Sequence, residues 1–366
     1  MRHAFAILSW MLAAAALGAP AAPAAPVDGP YVVRNATGGL DAWSVSADGA
    51  PQKSGPVAAG EKIHIAAVGS MPAFDVTLRT PAKAAADSLA VPAKSPILVI
   101  ADTHGEFASL GRLLQTHRVV DAKLHWSFAR GHLVILGDVF DRGPHHTEIL
   151  WLLYQLEAEA AKAGGGLHLV LGNHETMVMM GDLRYLNPKY VETARALGVE
   201  YYRLFDAHSV LGQWLRSRPA ILRINRQLFL HAGISRALVE RQLALAEINS
   251  TIRRTLEGSL TDSERDVARL LMTADGPLWY RGFFAEQADF QTATSEDVDA
   301  ALKQFAVDRI YVGHTIVPTL TPLFGGRVVA LNVAANEDPA AGGFEALLLR
   351  DRKTLRARLD GRLEPL

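Results

Sequence analysis

A mixed α/β (α+β) fold is predicted by three features of the 366-residue sequence. Short apolar runs, typical of buried strands, end abruptly in polar clusters, and apolar residues at helical spacing follow them. These strand, turn and helix units recur about every 35 residues, close to the size of a βαβ unit. The composition, with 49% hydrophobic and 20% charged residues, is that of a globular protein.

The first residues have the three zones of a secretory signal peptide. Arg2 and His3 precede an apolar run over residues 4–17, and small residues with prolines follow as far as Pro26. The apolar run is short for a membrane span, and no later stretch is long and apolar enough. Residues 1–25 are therefore predicted to be a signal peptide that exports the chain to the periplasm or the medium. An uncleaved membrane anchor is the alternative.

The segment that follows is predicted to be a small β-rich prefix of unknown role, residues 26–80. Short β-type runs, such as residues 31–33 and 76–78, alternate there with Gly, Asn, Asp and Pro turns. Residues 81–95 are rich in Ala, Pro and Lys and are predicted to be a linker. The main domain is predicted to span residues 96–350, and the charged residues 351–366 are expected to form a frayed tail.

Within the main domain, strands are predicted where apolar runs are bounded by polar turns. The first three, at residues 97–101, 132–137 and 167–172, each precede a helical pattern or a polar cluster. Later strands are predicted at residues 229–230, 309–312, 322–324, 328–331 and 344–349. The region 235–299 is predicted to be mostly helical, with residues 276–284 as a non-helical insert.

Five of the apolar runs end in Asp, Asn or His side chains. They lead to Asp102, Asp138, Asn173 with His174, His231 and His314. In α/β sheets the functional groups gather just beyond the carboxyl ends of the strands. One histidine in such a place is usually structural, but five such strand ends indicate a shared polar site.

This combination of oxygen and nitrogen ligands suits a pair of metal ions. Asp102 and His104 can face one ion, Asp138 can bridge, and the second ion is completed by Asn173, His231 and His314. The ligand types favour divalent or trivalent Mn, Fe, Zn or Co over Ca. Thiolate sites, disulfides and cysteine nucleophiles are excluded because the sequence has no cysteine. Two such ions would lower the pKa of a bridging water and present hydroxide to a phosphorus atom.

Neighbouring side chains supply the remaining parts of a phosphatase. His174 can protonate the leaving group as a general acid. Asp141 can orient its imidazole, and Arg142 can hold phosphate oxygens with its fork of donors. Glu175 is expected to support the turn, whereas His145 and His146 are expected in a solvated loop.

The motifs resemble the signature series of calcineurin-like metallophosphoesterases. The segments are Asp102-Thr103-His104-Gly105, Gly137-Asp138-Val139-Phe140-Asp141-Arg142-Gly143, Gly172-Asn173-His174-Glu175, His231-Ala232-Gly233 and Gly313-His314-Thr315. They are similar to the phosphoprotein phosphatase branch, and residues 276–282 resemble a segment of bacterial Shewanella-like phosphatases. The resemblance implies a β-sandwich flanked by helices, both metals at the strand ends, and Arg281 as a second phosphate-binding arginine.

The leading functional hypothesis is a phosphomonoesterase acting on phosphorylated protein, peptide or small esters, with Tyr, Ser and Thr all open. One alternative is a nucleotide or bis-nucleosyl tetraphosphate hydrolase, and another is a catalytically degenerate metal- or partner-binding protein. A net charge of −1 gives no sign of a nucleic-acid partner, and no obligate protein partner is evident. Four aromatic residues are equally compatible with a substrate wall and with core packing: Trp279, Tyr280, Phe283 and Phe284.

Overall fold

The structure, a computed structural model, describes residues 26–80, 83–284, 291–335 and 343–366. The predicted signal peptide lies outside these residues, so export remains a prediction that fractionation of expressing cells would test. Within the described ranges, every helix is too short or too polar to cross a bilayer.

The described strands are numbered in chain order. They are β1 (Pro26–Arg34), β2 (Leu40–Ser46), β3 (Pro51–Val57), β4 (Lys62–Ile65), β5 (Phe74–Thr77), β6 (Ser88–Leu89), β7 (Ile97–Ile100), β8 (His132–Ile135), β9 (Gly166–Leu169), β10 (Ile221–Ile224), β11 (Gln227–Leu230), β12 (Arg309–Val312), β13 (Thr321–Leu323), β14 (Val328–Ala330), β15 (Glu345–Arg350), β16 (Lys353–Arg358) and β17 (Leu363–Pro365).

The described α-helices are numbered in the same way. They are α1 (Phe107–Thr116), α2 (His146–Lys162), α3 (Asn173–Met179), α4 (Pro188–Leu197), α5 (Val210–Arg216), α6 (Arg236–Glu240), α7 (Leu245–Glu257), α8 (Arg265–Leu271) and α9 (Ser295–Phe305). Short 3-10 helices lie at Tyr201–Phe205, Asp262–Glu264 and Phe324–Gly326.

Two six-stranded sheets form the centre of the molecule. The first has the order β17-β16-β15-β7-β8-β9, and the second has the order β13-β14-β12-β11-β10-β6. In the first, β7, β8 and β9 are parallel; in the second, β11, β12 and β14 are parallel. Because parallel strands end at the same edge, each sheet presents several carboxyl ends together.

The two sheets share one hydrophobic core, as expected for a sandwich. All four residues of both β7 and β8 are buried, which is why β7, and β8 after His132, appear in the sequence as apolar runs. The sheets also meet through a hydrogen bond, in which the His231 Nδ1 atom lies 2.7 Å from the Leu136 carbonyl oxygen. The predicted strands of the main domain are confirmed to within a few residues, whereas β10 has no counterpart in the prediction.

The prefix is β-rich, as predicted, with a three-stranded sheet β1-β2-β3 and the hairpin β4-β5. It packs on the main domain mainly through α2. The Trp151 indole donates a 2.8 Å hydrogen bond to the Pro30 carbonyl, and Arg79 pairs with Glu157 at 2.9 Å. Arg79 also stacks on the Tyr154 ring at 3.8 Å. The prefix is therefore fixed against the main domain by several buried contacts.

The two segments that flank the main domain are more ordered than the sequence predicts. The expectation of a frayed C-terminal tail is wrong for β16 and β17, which extend the first sheet. Buried Glu345 accounts for this order, because Arg356 and Arg358 of β16 lie 3.2 and 2.6 Å from its carboxylate. Part of the predicted linker is also ordered, since β6 pairs in parallel with β10. The domain boundaries themselves stay predictions.

Candidate active site

The six predicted metal ligands meet at the carboxyl ends of the strands. Asp102 follows β7, Asp138 follows β8, and Asn173 opens α3 just after β9. From the second sheet, His231 follows β11 directly and His314 follows β12. With His104, all six are buried, at 9% exposure or less.

The carboxylate of Asp138 lies at the centre of this cluster. Its Oδ2 atom is 3.2 Å from the Nε2 atom of His231, 3.7 Å from that of His104 and 3.8 Å from that of His174. Its other oxygen, Oδ1, accepts a 3.0 Å hydrogen bond from the backbone N–H of His174. One carboxylate oxygen therefore faces imidazoles from both sheets, the position required of a bridging ligand.

The remaining ligands lie on either side of Asp138. The Nε2 atom of His231 is 2.9 Å from the Asn173 amide oxygen and 3.0 Å from the Nδ1 atom of His314. On the opposite side, the Asp102 carboxylate lies 3.8 Å from the Nε2 atom of His104. Distances thus divide the cluster into two groups that share Asp138, one with His104 and His174 and one with His231 and His314.

Two buried imidazole nitrogens indicate that the cluster fits metal ions. The Nδ1 atom of His104 lies 2.9 Å from the Phe140 carbonyl, which fixes the ring with Nε2 pointing to the site. Neither this Nε2 atom nor the Nε2 atom of His314 has a hydrogen-bond partner among the described residues. Buried polar atoms are normally satisfied, and a backbone carbonyl that orients the opposite ring nitrogen is typical of metal-binding histidines.

The electrostatics of the cluster also suit cations. Burial raises the pKa of Asp102 to about 6. Burial also opposes charge on His231, but the carboxylates of Asp138 and Asp102 outweigh it and raise the pKa of His231 to about 9. The pKa of Asp138 lies well below its usual range because His231 and His174 outweigh the effect of its burial. Two close buried carboxylates thus require positive charge beside them, which metal ions would supply.

Several site residues adopt a left-handed backbone conformation that side chains other than glycine rarely adopt. The φ angles are 43° for His104, 51° for Asp138, 69° for Asp141, 62° for Arg142 and 62° for His314. Each such residue costs about 1–3 kcal/mol and persists only where its surroundings enforce it. The backbone here is therefore shaped for function at the expense of stability.

Glu175 enforces one of these turns, as predicted. Its buried carboxylate accepts hydrogen bonds from the N–H groups of Gly172, Asp138 and Val139 at 2.7, 2.8 and 2.7 Å. The acceptor thus ties the turn after β8 to the start of α3. Because Glu175 points at backbone groups, it supports the geometry and is not placed as a ligand.

Glycines precede three of the candidate ligands, Asp138, Asn173 and His314, and a side chain on Gly172 or Gly313 would collide with a carboxylate of the site. A Cβ atom on Gly172 would lie 2.2 Å from the Oδ1 atom of Asp138, and one on Gly313 would lie 2.4 Å from the Oδ1 atom of Asp102. Both distances are far inside van der Waals contact. The Gly-Asn and Gly-His dipeptides of the sequence therefore reflect backbone that passes directly over the carboxylates of Asp138 and Asp102.

His174 is paired with Asp141, as predicted for an oriented acid. The Nδ1 atom of His174 lies 2.5 Å from Asp141 Oδ2, and both side chains are buried. Burial opposes charge on the ring, but the carboxylates of Asp138 and Asp141 outweigh it and raise the pKa of His174. The exposed ring of Tyr185 lies beside it, with ring centroids 5.3 Å apart. His174 thus stands between the carboxylate cluster and the surface.

Two arginines lie at the mouth of the site. Arg142 is exposed and follows Asp141 directly. Arg281 is half-buried, and its guanidinium donates a 3.1 Å hydrogen bond to the Thr315 hydroxyl, next to His314. Burial lowers the pKa of Arg281, and the carboxylates of Asp102 and Asp138 act in the opposite direction. Arg281, which the family resemblance implies as a second phosphate-binding arginine, thus lies at the same site.

Asn332 also belongs to the site, although it lies outside the motifs matched in the sequence. Its amide donates to Asp102 Oδ2 at 2.7 Å and to the His314 carbonyl at 3.1 Å. The backbone N–H of His314 also donates to Asp102 Oδ1 at 3.0 Å. Asn332 follows β14 at the carboxyl end, so the sequence places it at a strand end near the site, but it matches none of the motifs.

Two expectations for neighbouring residues are resolved. The expectation of a solvated loop is wrong for His146, which is fully buried and stacks on Tyr190 with ring centroids 3.7 Å apart. In the insert, Tyr280 and Phe283 are buried and pack on each other, which favours core packing. Trp279 is half-buried, and its ring centroid lies 6.1 Å from that of His314.

Comparisons with known proteins show what the chain is similar to. A "Shewanella-like protein phosphatase 1" of Plasmodium berghei is 26% identical over 225 residues, which cover 61% of this chain and 62% of the relative. The chain thus spans less than two thirds of that relative's length. "Shewanella-like protein phosphatase 2" of Arabidopsis thaliana is 24% identical over 69% of this chain and 75% of its own length.

A solved structure covers more of the chain. The cold-active protein-tyrosine phosphatase of a psychrophilic Shewanella species is 32% identical, with a TM-score of 0.81, over 93% of this chain and 99% of its own. Residues 95–318 match the family described as calcineurin-like phosphoesterase. The predicted resemblance is therefore confirmed: the chain belongs to the calcineurin-like phosphoesterase family.

Proposed function

We propose that the chain is a phosphomonoester hydrolase with two metal ions held around Asp138. The observation that carries this proposal is the position of Asp138 Oδ2, which lies 3.2 to 3.8 Å from imidazole nitrogens of both sheets. One ion would be held by Asp102, His104 and Asp138. The other would be held by Asp138, Asn173, His231 and His314. The mixed ligands favour Mn, Fe or Zn.

When bound, the metal ions supply Lewis acidity that polarises the phosphate ester and lowers the pKa of the attacking water. The protein holds the ligands in place before substrate arrives. Asn332 and the backbone of His314 fix both oxygens of Asp102, and the Phe140 and Leu136 carbonyls orient His104 and His231. This preorganisation means that little rearrangement accompanies binding.

In this proposal His174 protonates the leaving oxygen. The ring would donate from Nε2, because Nδ1 is engaged by Asp141 at 2.5 Å. Asp141 thereby selects the ring orientation and favours the protonated form. Arg142 and Arg281 would hold the equatorial phosphate oxygens, so that the ester oxygen faces His174.

We further propose phosphorylated protein or peptide as the substrate, with phosphotyrosine favoured. The names of the relatives support a protein phosphatase, and the Shewanella structure is named a protein-tyrosine phosphatase. Two large apolar side chains next to the site are exposed: Tyr185 at 49% and Ile316 at 58%. Such residues suit an aromatic leaving group or an extended peptide. Nucleoside polyphosphates, tested beside phosphopeptides, are the competing substrate class.

Removal and resupply of metal tests the proposed reaction. We expect chelator-stripped protein to lose hydrolysis of an aryl phosphate and to regain it with Mn, Fe or Zn, but not with Ca. Circular dichroism would establish that the stripped chain remains folded. A folded chain that no metal reactivates would contradict the proposal and leave the degenerate binding protein as the explanation.

Tyr185→Ala tests the proposed preference for aryl esters. Loss of the ring is expected to lower kcat/KM for phosphotyrosine peptides up to about tenfold, because aromatic contacts contribute about 0.5–1.5 kcal/mol, while phosphoserine peptides change little. Tyr202→Ala is the matched control, since Arg203 lies over its ring as Arg184 lies over Tyr185, at 5.6 and 6.0 Å. Equal losses on both peptides would remove Tyr185 from substrate selection.

A further inference from the structure

A buried polar network joins the prefix to the turn that carries Arg142. Residues 141–144 are called the phosphate turn here, and they include the two consecutive left-handed residues Asp141 and Arg142, with φ angles of 69° and 62°. Such a turn needs contacts from outside to hold it. Backbone carbonyls of Tyr185 and His104 and the ring of His174 supply some of these contacts. Three more come from side chains at the start of α4, which in turn contacts the prefix.

The start of α4 holds the backbone of the phosphate turn. The carbonyl of Arg142 accepts a 2.7 Å hydrogen bond from the Asn187 side chain. The carbonyl of Pro144 accepts two, from the Lys189 ammonium at 2.8 Å and from the Tyr190 hydroxyl at 2.7 Å. Three side chains within four residues therefore bind two carbonyls of one turn.

Lys189 lies beside a carboxyl group of the prefix. Its ammonium lies 3.6 Å from Asp28 Oδ1 and 3.4 Å from Glu148 Oε1. The Asp28 side chain is fully buried, and its other oxygen accepts a 2.5 Å hydrogen bond from the Tyr31 hydroxyl. An ammonium with two buried carboxyl groups beside it has few alternative positions, so its bond to Pro144 is directional.

A second branch of the network holds Tyr190. The Tyr31 hydroxyl lies 3.4 Å from the Tyr201 hydroxyl, which in turn is hydrogen-bonded to the His146 ring. The His146 ring stacks on Tyr190, and its backbone N–H donates to the Tyr190 hydroxyl at 2.9 Å. Both donors to Pro144 are thus connected to β1 of the prefix.

We propose that the prefix is part of the active site, and that Asp28 is a positioning residue that fixes the phosphate turn through Lys189. The inference rests on the proposed function in one respect, the role of Arg142 in holding phosphate. Asp28 does not touch substrate. It sets the position of Pro144, and therefore the direction in which the neighbouring Arg142 side chain leaves the backbone.

The network predicts which kinetic constant changes when Asp28 is altered. The candidate metal ligands lie outside the phosphate turn. Glu175 fixes the backbone at Asp138 and Val139 independently of the prefix. A loosened phosphate turn should therefore weaken the hold on phosphate with little change in metal content. The expected signature is a higher KM and a higher inhibition constant for orthophosphate, with kcat for an activated aryl ester largely kept.

The experiment compares Asp28→Asn with the wild-type full chain loaded with Mn²⁺. We expect the inhibition constant for orthophosphate to rise about tenfold, and the rise in Tm on adding orthophosphate to shrink. Tyr190→Phe is the second variant, because it removes one donor to Pro144 without leaving a buried charge unpaired. It is expected to change the same two quantities in the same direction, by less.

Asp41→Asn is the matched control. Asp41 is also a buried aspartate of the prefix paired with a lysine, Lys53, at 2.8 Å, but its polar partners Lys53 and Asn35 both lie within the prefix. It should lower Tm without changing orthophosphate affinity. If Asp28→Asn and Tyr190→Phe also lower only Tm, the prefix merely stabilises the fold and the inference is overturned.

The double variant Asp28→Asn/Lys189→Met distinguishes a shared path from two separate effects. We expect its loss of phosphate affinity to equal that of Lys189→Met alone, because Asp28 acts through Lys189. Additive losses would overturn the proposed path. Because the Tm shift reports phosphate binding without turnover, a wild-type chain that binds phosphate but hydrolyses no monoester would reject the proposed function alone.

Discussion

Asp138→Asn is expected to lower kcat by about a thousandfold or more and to reduce bound metal below two ions per chain. The substitution keeps the shape of the side chain but removes its charge. It also places either a neutral oxygen or an NH₂ donor where three imidazoles converge at 3.2 to 3.8 Å. The loss of several kcal/mol of electrostatic stabilisation accounts for the size of the effect.

Metal analysis of the purified variant, together with aryl phosphate kinetics, would measure this. Asp87→Asn is a suitable control, because Asp87 also forms an ion pair, with Arg253 at 3.2 Å, on an ordered part of the predicted linker. It should keep both metals and full activity. A variant at Asp138 that retained two ions and a tenth of wild-type turnover would show that this carboxylate is not the shared ligand.

The clustering of the candidate metal ligands was predictable because its signal is local in sequence. Each ligand follows an apolar run, and the geometry of parallel strands then brings the ends together without further information. Asp138 and His314 illustrate this, since they come from different sheets yet each follows a fully or largely buried strand. Asn332 also ends a strand, β14, but no motif accompanies it, so its bond to Asp102 is visible only in the folded chain.

Other features depend on contacts between distant segments and leave no local pattern. The sequence around His146 looks polar, but the ring is buried because Phe140, Tyr190 and Tyr201 surround it. The charged residues of β16 are ordered because one buried acid, Glu345, needs cationic partners. Periodicity describes one element at a time, so such pairings between elements become visible only in the folded chain.

A role of His174 as general acid can be distinguished experimentally from a role as metal ligand. Its Nε2 atom lies 3.8 Å from Asp138 Oδ2, which would also suit a metal ligand, and a carboxylate on Nδ1 is common to ligands and acids alike. The two roles predict different consequences of removal. A ligand is needed for metal and for every substrate, whereas an acid is needed only where the leaving oxygen is too basic to depart unprotonated.

His174→Asn is therefore expected to retain metal and to slow alkyl phosphates by about 10²- to 10⁴-fold, the usual contribution of a positioned acid. A nitrophenyl ester should be slowed much less, because its leaving group needs no proton. Asp141→Asn should show the same dependence on the leaving group with smaller losses, since the ring would remain but lose its 2.5 Å partner. Loss of metal, or equal loss on both esters, would instead make His174 a ligand, so that leaving-group protonation would require another residue.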